Sequence, residues 1–140
     1  MAAKYGGAAA GGATRSIDAM IGSCEALAGL GDELARRAAP MILAEVKRTA
    51  EAGTTTLGES WAPRKKDGAR ALVHAATHIT VKTSGSVVTL VIRGPDAIHN
   101  DGNLPHTPAR RILPDYSNLS PPILAILQKV SADLFEEIMT

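Results

Sequence analysis

Four histidines are the first candidates for chemistry. His74 and His78 are four residues apart, the spacing at which two metal ligands share one helix face, and His99 and His106 bring the number to a full ligand set. What usually accompanies such ligands is missing: the chain has no Cys pair and no His-Glu-x-x-His motif, and His78 opens a stretch of β character that breaks the helical spacing. Ile98-His99-Asn100-Asp101-Gly102 sets an imidazole beside a carboxamide and a carboxylate. A catalytic base also needs an orienting partner and a nucleophile or metal within reach, and Asn, Asp and Gly in succession are first of all turn residues, chosen for the dihedrals they tolerate. Cys24 lies on an apolar helical stripe and is expected to be a small core residue. No phosphate-binding loop, dinucleotide fingerprint or nucleophile elbow occurs. The expectation is therefore a protein that is not an enzyme, with no catalytic site, cofactor or metal.

Binding chemistry is better represented. Arg64-Lys65-Lys66, with Arg70 beyond, sits beside Trp61. In a single-strand nucleic-acid binder such cations neutralise phosphates while the indole stacks on a base. The sequence pI of 7.9 is low for a domain of that kind, and a short basic run serves equally as a contact between subunits. The net charge of +1 conceals a division: residues 1–53 are neutral, 54–114 carry +4 and 115–140 carry −3. Like chains can then meet with the basic middle of one against the acidic end of the next. Arg64, Lys65, Lys66, Arg110 and Arg111 are the candidates for one side of that contact, and Asp133, Glu136 and Glu137 for the other.

The elements that must position these residues follow from periodicity. With 140 residues, 45% hydrophobic, the chain suits one domain whose core needs no disulfide. A single Cys fits a reducing cytoplasm, and neither an export signal nor a membrane span is recognisable. Residues 1–13, dominated by Gly and Ala, are expected to form a flexible arm, leaving 14–140 as a single α+β domain. Ile17, Met20, Ile21, Cys24, Leu27 and Ala28 recur at helical spacing; Gly29-Leu30-Gly31 interrupts them; and a second helix runs from Asp32 as N-cap to Gly53, bent or restarted at Pro40. Residues 54–67 are a polar loop, and Gly68 to Ala76 allows one or two helical turns. A hairpin occupies about 77–93, turning at Ser84-Gly85-Ser86, and its second strand, apolar on both faces, requires cover on each side. A long excursion at 94–108 precedes a short third strand at 110–113. Ser120-Pro121-Pro122 starts the last helix, so the N-terminal helices and a C-terminal helix pack on a small antiparallel sheet.

Three short segments carry a family resemblance: Ser60-Trp61-Ala62-Pro63-Arg64 before the hairpin, Ala97-Ile98-His99-Asn100-Asp101-Gly102 after it, and Pro108-Ala109-Arg110-Arg111-Ile112-Leu113-Pro114 leading to the last helix. In this order, across roughly residues 55–138, the chain resembles the virion-morphogenesis or tail-completion proteins of long-tailed bacteriophages, a head-tail joining, tail-terminator-like family. The resemblance implies a structural neck subunit, made in the host bacterial cytoplasm and located in the virion. It would assemble with itself as a ring, commonly a homo-hexamer, between the tail tube protein and a head-tail connector, stopper or portal-side protein, with DNA passing through the lumen unbound by sequence and no membrane involved. His99 and Gly102 join Trp61 and the charged residues as candidate subunit or partner contacts on this reading. A small nucleic-acid-binding protein using the Trp61 to Arg70 loop is the alternative. Only 3% of the residues are aromatic, which gives a thin aliphatic core and suggests stability drawn from neighbouring subunits.

Overall fold

A computed structural model describes residues 11–64, 66–69, 71–100 and 110–140; within these, the side chains of 11–16, Ser23 and Ile98 are left aside. The chain is α+β. Helix α1 (Gly11–Ala28) and helix α2 (Leu30–Ala52) are followed by a one-turn 3-10 helix (Ala75–His78), strands β1 (Ile79–Ser84) and β2 (Val87–Ile92), a one-turn helix α3 (Ala97–Asn100) and the closing helix α4 (Pro121–Met139).

Helix α2 is the spine. Ala35, Ala38, Ala39, Ile42, Val46 and Ala50 recur at three and four residues and are buried, so one face of small and β-branched side chains lets α4 and the hairpin approach closely. Opposite it, α4 contributes Ile123, Val130 and Leu134, and Ile79, Ala75, Trp61 and Ile112 fill the space between. Gly53 ends α2 in the left-handed conformation (φ 75°), which a Cβ would disfavour, and its N–H donates to the Ala50 carbonyl. At α4, Ser120 is the N-cap, its hydroxyl accepting from the Ile123 amide, and Pro121 occupies the first turn, where its missing N–H costs nothing.

β1 and β2 form an antiparallel pair, Ile79 opposite Ile92 through Ser84 opposite Val87. The reversal is a two-residue turn, Gly85-Ser86, with positive φ (58°) at Gly85 alone, the pattern of a II′ turn that matches the twist of the strands. Leu90 and Ile92 pack against the core beneath, whereas on the other face Val87 and Thr89 are exposed and Val91 is partly buried.

Several expectations are corrected. The sheet has two strands among the described residues: residues 110–113 pair with no strand, because the amides of Ile112 and Leu113 donate to a side chain instead. Helix α2 starts at Leu30 without a side-chain cap, leaving Asp32 inside its first turn. It runs through Pro40 unbroken, since Pro40 and Arg36, whose carbonyl loses its donor, both lie at the solvent-exposed side. The helical turns expected at 68–76 contract to Ala75–His78, because Leu72 takes a left-handed φ of 54° that no helix accommodates. His78 ends that turn rather than opening β1. Helix α1 begins at Gly11, taking in the last three residues assigned to the arm; the rest of the arm lies outside the described residues. Cys24 is exposed, not buried, because α1 meets α4 and α2 along only part of its stripe, where Ile17 and Ile21 are half-buried.

Candidate functional site

The described parts of the three segments that carry the family resemblance meet in one place. The loop after α2 closes on itself through a bridge between Thr54 and Ser60, and the Trp61 amide donates to the Gly53 carbonyl, fixing Trp61 against the end of α2. The indole is 8% exposed, and its Nε1 donates to the carbonyl of Arg111 (2.8 Å). Arg110 reaches back in the opposite direction. It is 5% exposed, with Nε donating to the Ala62 carbonyl at 2.8 Å and a terminal guanidinium nitrogen donating to the Pro63 carbonyl at 3.1 Å. Its own amide donates to the carbonyl of His99 (3.0 Å). One turn of α3 presents Asn100, whose Oδ1 accepts from the amides of both Ile112 (2.8 Å) and Leu113 (2.9 Å). The Trp61, Arg110 and Asn100 side chains thus each find a partner in another segment, whereas the buried Nδ1 of His99 has no hydrogen-bond partner among the described residues.

His78 anchors the start of α3, its Nδ1 lying 2.8 Å from Asp96 Oδ2, and Gly94, beside the ring, takes a φ of 83° that favours glycine. His74 is exposed at the other end of the 3-10 turn, and no three His, Cys, Asp or Glu residues gather around a common point among the described residues.

These contacts revise the expected interface. Trp61 and Arg110 are withdrawn into the fold and offer no surface: the stacking face that a nucleic-acid binder would use at Trp61 is occupied by the core. His99 is half-buried in the same network. Arg64 and Lys66 are exposed, with Arg64 3.4 Å from Asp67. Arg111 extends outward over a hollow of about 230 Å³ also lined by Glu59, Leu113 and Asp115. The Asp115 carboxyl is held below its usual range by the amide and hydroxyl of Ser117, with Arg111 adding attraction. Lys65, Arg70, Gly102 and His106 lie outside the described residues.

On the acidic side, Glu137 is already engaged. Two nitrogens of Arg37 on α2 donate to its two carboxylate oxygens (2.9 and 2.8 Å), which pulls the Glu137 carboxyl below and the Arg37 guanidinium above their ordinary values. Asp133 pairs with Lys129 at 2.9 Å along α4, and Glu136 is exposed beside them. The sequence missed Asn100 as an architectural residue: it reads as a turn former, yet φ is not left-handed there and its amide oxygen is what holds 112–113 in place. Comparison with protein-family models, with curated proteins and with solved structures gave no match.

Proposed function

We propose that this chain is a structural subunit of a long-tailed bacteriophage virion, a tail-completion or head-tail joining protein that assembles with itself as a ring between the tail tube and the head connector. The observation that supports it is the convergence of the three motif-bearing segments. Trp61 donates to the Arg111 carbonyl, Arg110 to the carbonyls of Ala62 and Pro63, and Asn100 accepts from the amides of Ile112 and Leu113, so these residues tie the segments behind the resemblance into one framework. Around that framework the exposed charges remain divided, Arg64, Lys66 and Arg111 apart in sequence from Asp133 and Glu136, which suits the head-to-tail contacts that close a ring.

The test is deletion of the gene from the phage or prophage that encodes it. Filled heads and separate tails are expected to accumulate, with infectivity restored by the protein supplied in trans. Complete, DNA-filled, infectious particles in its absence would sink the proposal.

A further inference from the structure

Both edges of the hairpin are open. The Arg93 amide donates to the His78 carbonyl, which sets the phase of the ladder: Thr80 with Val91, Lys82 with Thr89 and Ser84 with Val87 exchange hydrogen bonds, and the residues between them turn their backbone groups outward. On β2 these are Val88, Leu90 and Ile92; on β1 they are Ile79, Val81 and Thr83. Apart from the Ile79 amide, which donates to the Ala76 carbonyl, these outward groups have no backbone partner among the described residues. Beside Val88 and Leu90 the chain leaves an open hollow. No bulge interrupts the register, no proline stands in either strand, and β2 carries no charge, so it lacks the devices that protect an edge from pairing.

Among protein segments, a row of unpaired donors and acceptors at this spacing is matched by another extended backbone. The described chain has none to spare: the amides of Ile112 and Leu113 are taken by Asn100, and the loop from Thr54 to Ser60 closes on itself. A second copy does. With its β1 antiparallel against β2, free groups meet free groups when Val81 stands opposite Leu90 or is offset by two residues. These are the core-facing residues of both strands, so the same register continues the apolar side chains on one face and Thr80, Lys82 and Thr89 on the other. A slip of one residue loses both matches at once. Like edges pair less well: β1 against β1 brings the two Lys82 side chains together as diagonal neighbours, and β2 against β2 leaves both β1 edges bare.

We propose that β2 of one copy takes β1 of the next copy as an added strand, so that the sheet runs on from subunit to subunit. This rests on the self-assembly part of the reading above and names the contact that carries it. The contact is heterologous, one edge meeting a different edge. Each copy therefore uses β1 on one side and β2 on the other, and closure of the set into a ring leaves no edge unpaired.

Disulfide trapping distinguishes the ways in which the edges can meet. All chains are full length and carry Cys24→Ser. One with Thr89→Cys is refolded in turn with chains carrying Thr80→Cys, Lys82→Cys or Ser84→Cys, all exposed positions that together cover the three registers. A disulfide needs Cα atoms within about 7 Å, and the same residue in neighbouring copies lies two strands away, at about 9–10 Å, so no chain should link to its own kind. Mild oxidation is expected to give a band at twice 14.5 kDa in one of the three mixtures and in none of the chains alone. A band from the Thr89→Cys chain alone would mean that β2 meets β2, one from a β1 variant alone that β1 meets β1, and no band in any mixture that the edges do not meet; each overturns the proposal. Proline tests the edge by a second route. The Val88 amide points outward, so Val88→Pro removes an edge donor and spares the bonds between β1 and β2. In light scattering the unmodified chain should have a mass several-fold above 14.5 kDa that falls to 14.5 kDa in Val88→Pro with circular dichroism unchanged. An unmodified chain that is monomeric, or a folded variant of full mass, refutes it. Disulfides that fail to form while the phage deletion blocks assembly remove this interface and not the virion role; disulfides that form while infectious particles still assemble without the gene remove the virion role and not the interface.

Discussion

Asn100 should be among the most sensitive polar positions in the protein. In Asn100→Ala the amides of Ile112 and Leu113 lose their shared acceptor, and Ile112 is fully buried, so water cannot replace it. An unsatisfied buried donor costs about 1–3 kcal/mol. With one amide fully enclosed and the other partly so, the expected loss is about 2–4 kcal/mol, a large part of the roughly 5–15 kcal/mol that holds a domain together. Urea unfolding at one fixed protein concentration, necessary if the chain self-associates, would show the midpoint falling by about 1–2 M at a slope of about 2 kcal/mol/M. Asn100→Asp keeps an oxygen that accepts from both amides and should recover at least half of the loss at pH 7. A change under about 0.5 kcal/mol for Asn100→Ala, or an Asp variant as unstable as the Ala variant, would refute the argument that this oxygen positions residues 112–113.

Three other outcomes follow from the same structure. Arg110→Met should cost about 2–4 kcal/mol by unpairing the carbonyls of Ala62 and Pro63, and Arg110→Lys should fall between it and the unmodified chain, because an ammonium cannot span both acceptors as the guanidinium does; urea unfolding orders the three. Ser120→Ala should cost about 1 kcal/mol through loss of the α4 N-cap, measured as a thermal shift of a few degrees. Because Arg37 holds the Glu137 carboxyl below its ordinary value of 4.5, that pair contributes stability above the unfolded value and loses it as pH falls through 4.5 toward the lower folded value. Glu137→Gln should therefore flatten the acid limb of a melting-temperature profile there, and added salt should shrink the difference, as expected for an exposed pair.

Much of the fold was legible because it rests on local rules. The 3.6-residue period of Ala38, Ile42 and Val46, the alternation around Ile79 to Ser84, the Gly85 turn and the Ser120-Pro121 start each express backbone preference and burial within a few residues of chain. The third strand at 110–113 failed for the opposite reason. Its β-like composition says nothing about which acceptor its amides will find, and that acceptor, Asn100, is supplied by a different segment. Pro40 misled likewise, since whether a proline breaks a helix depends on which side of it meets water.

The candidate site divides along the same line. Sequence alone determined the residues of interest, the separation of basic and acidic segments, and the apolar stripe of α1, all of which are properties of order and composition. Only the tertiary structure decided their roles. It buried Trp61 and Arg110 as cross-braces, made Asn100 a shared acceptor, tied Glu137 to Arg37, and left Cys24 exposed. The physical reason is that exposure and partnership are relations between segments distant in the chain, and a single residue's type and spacing carry no record of what will stand opposite it once the chain is packed.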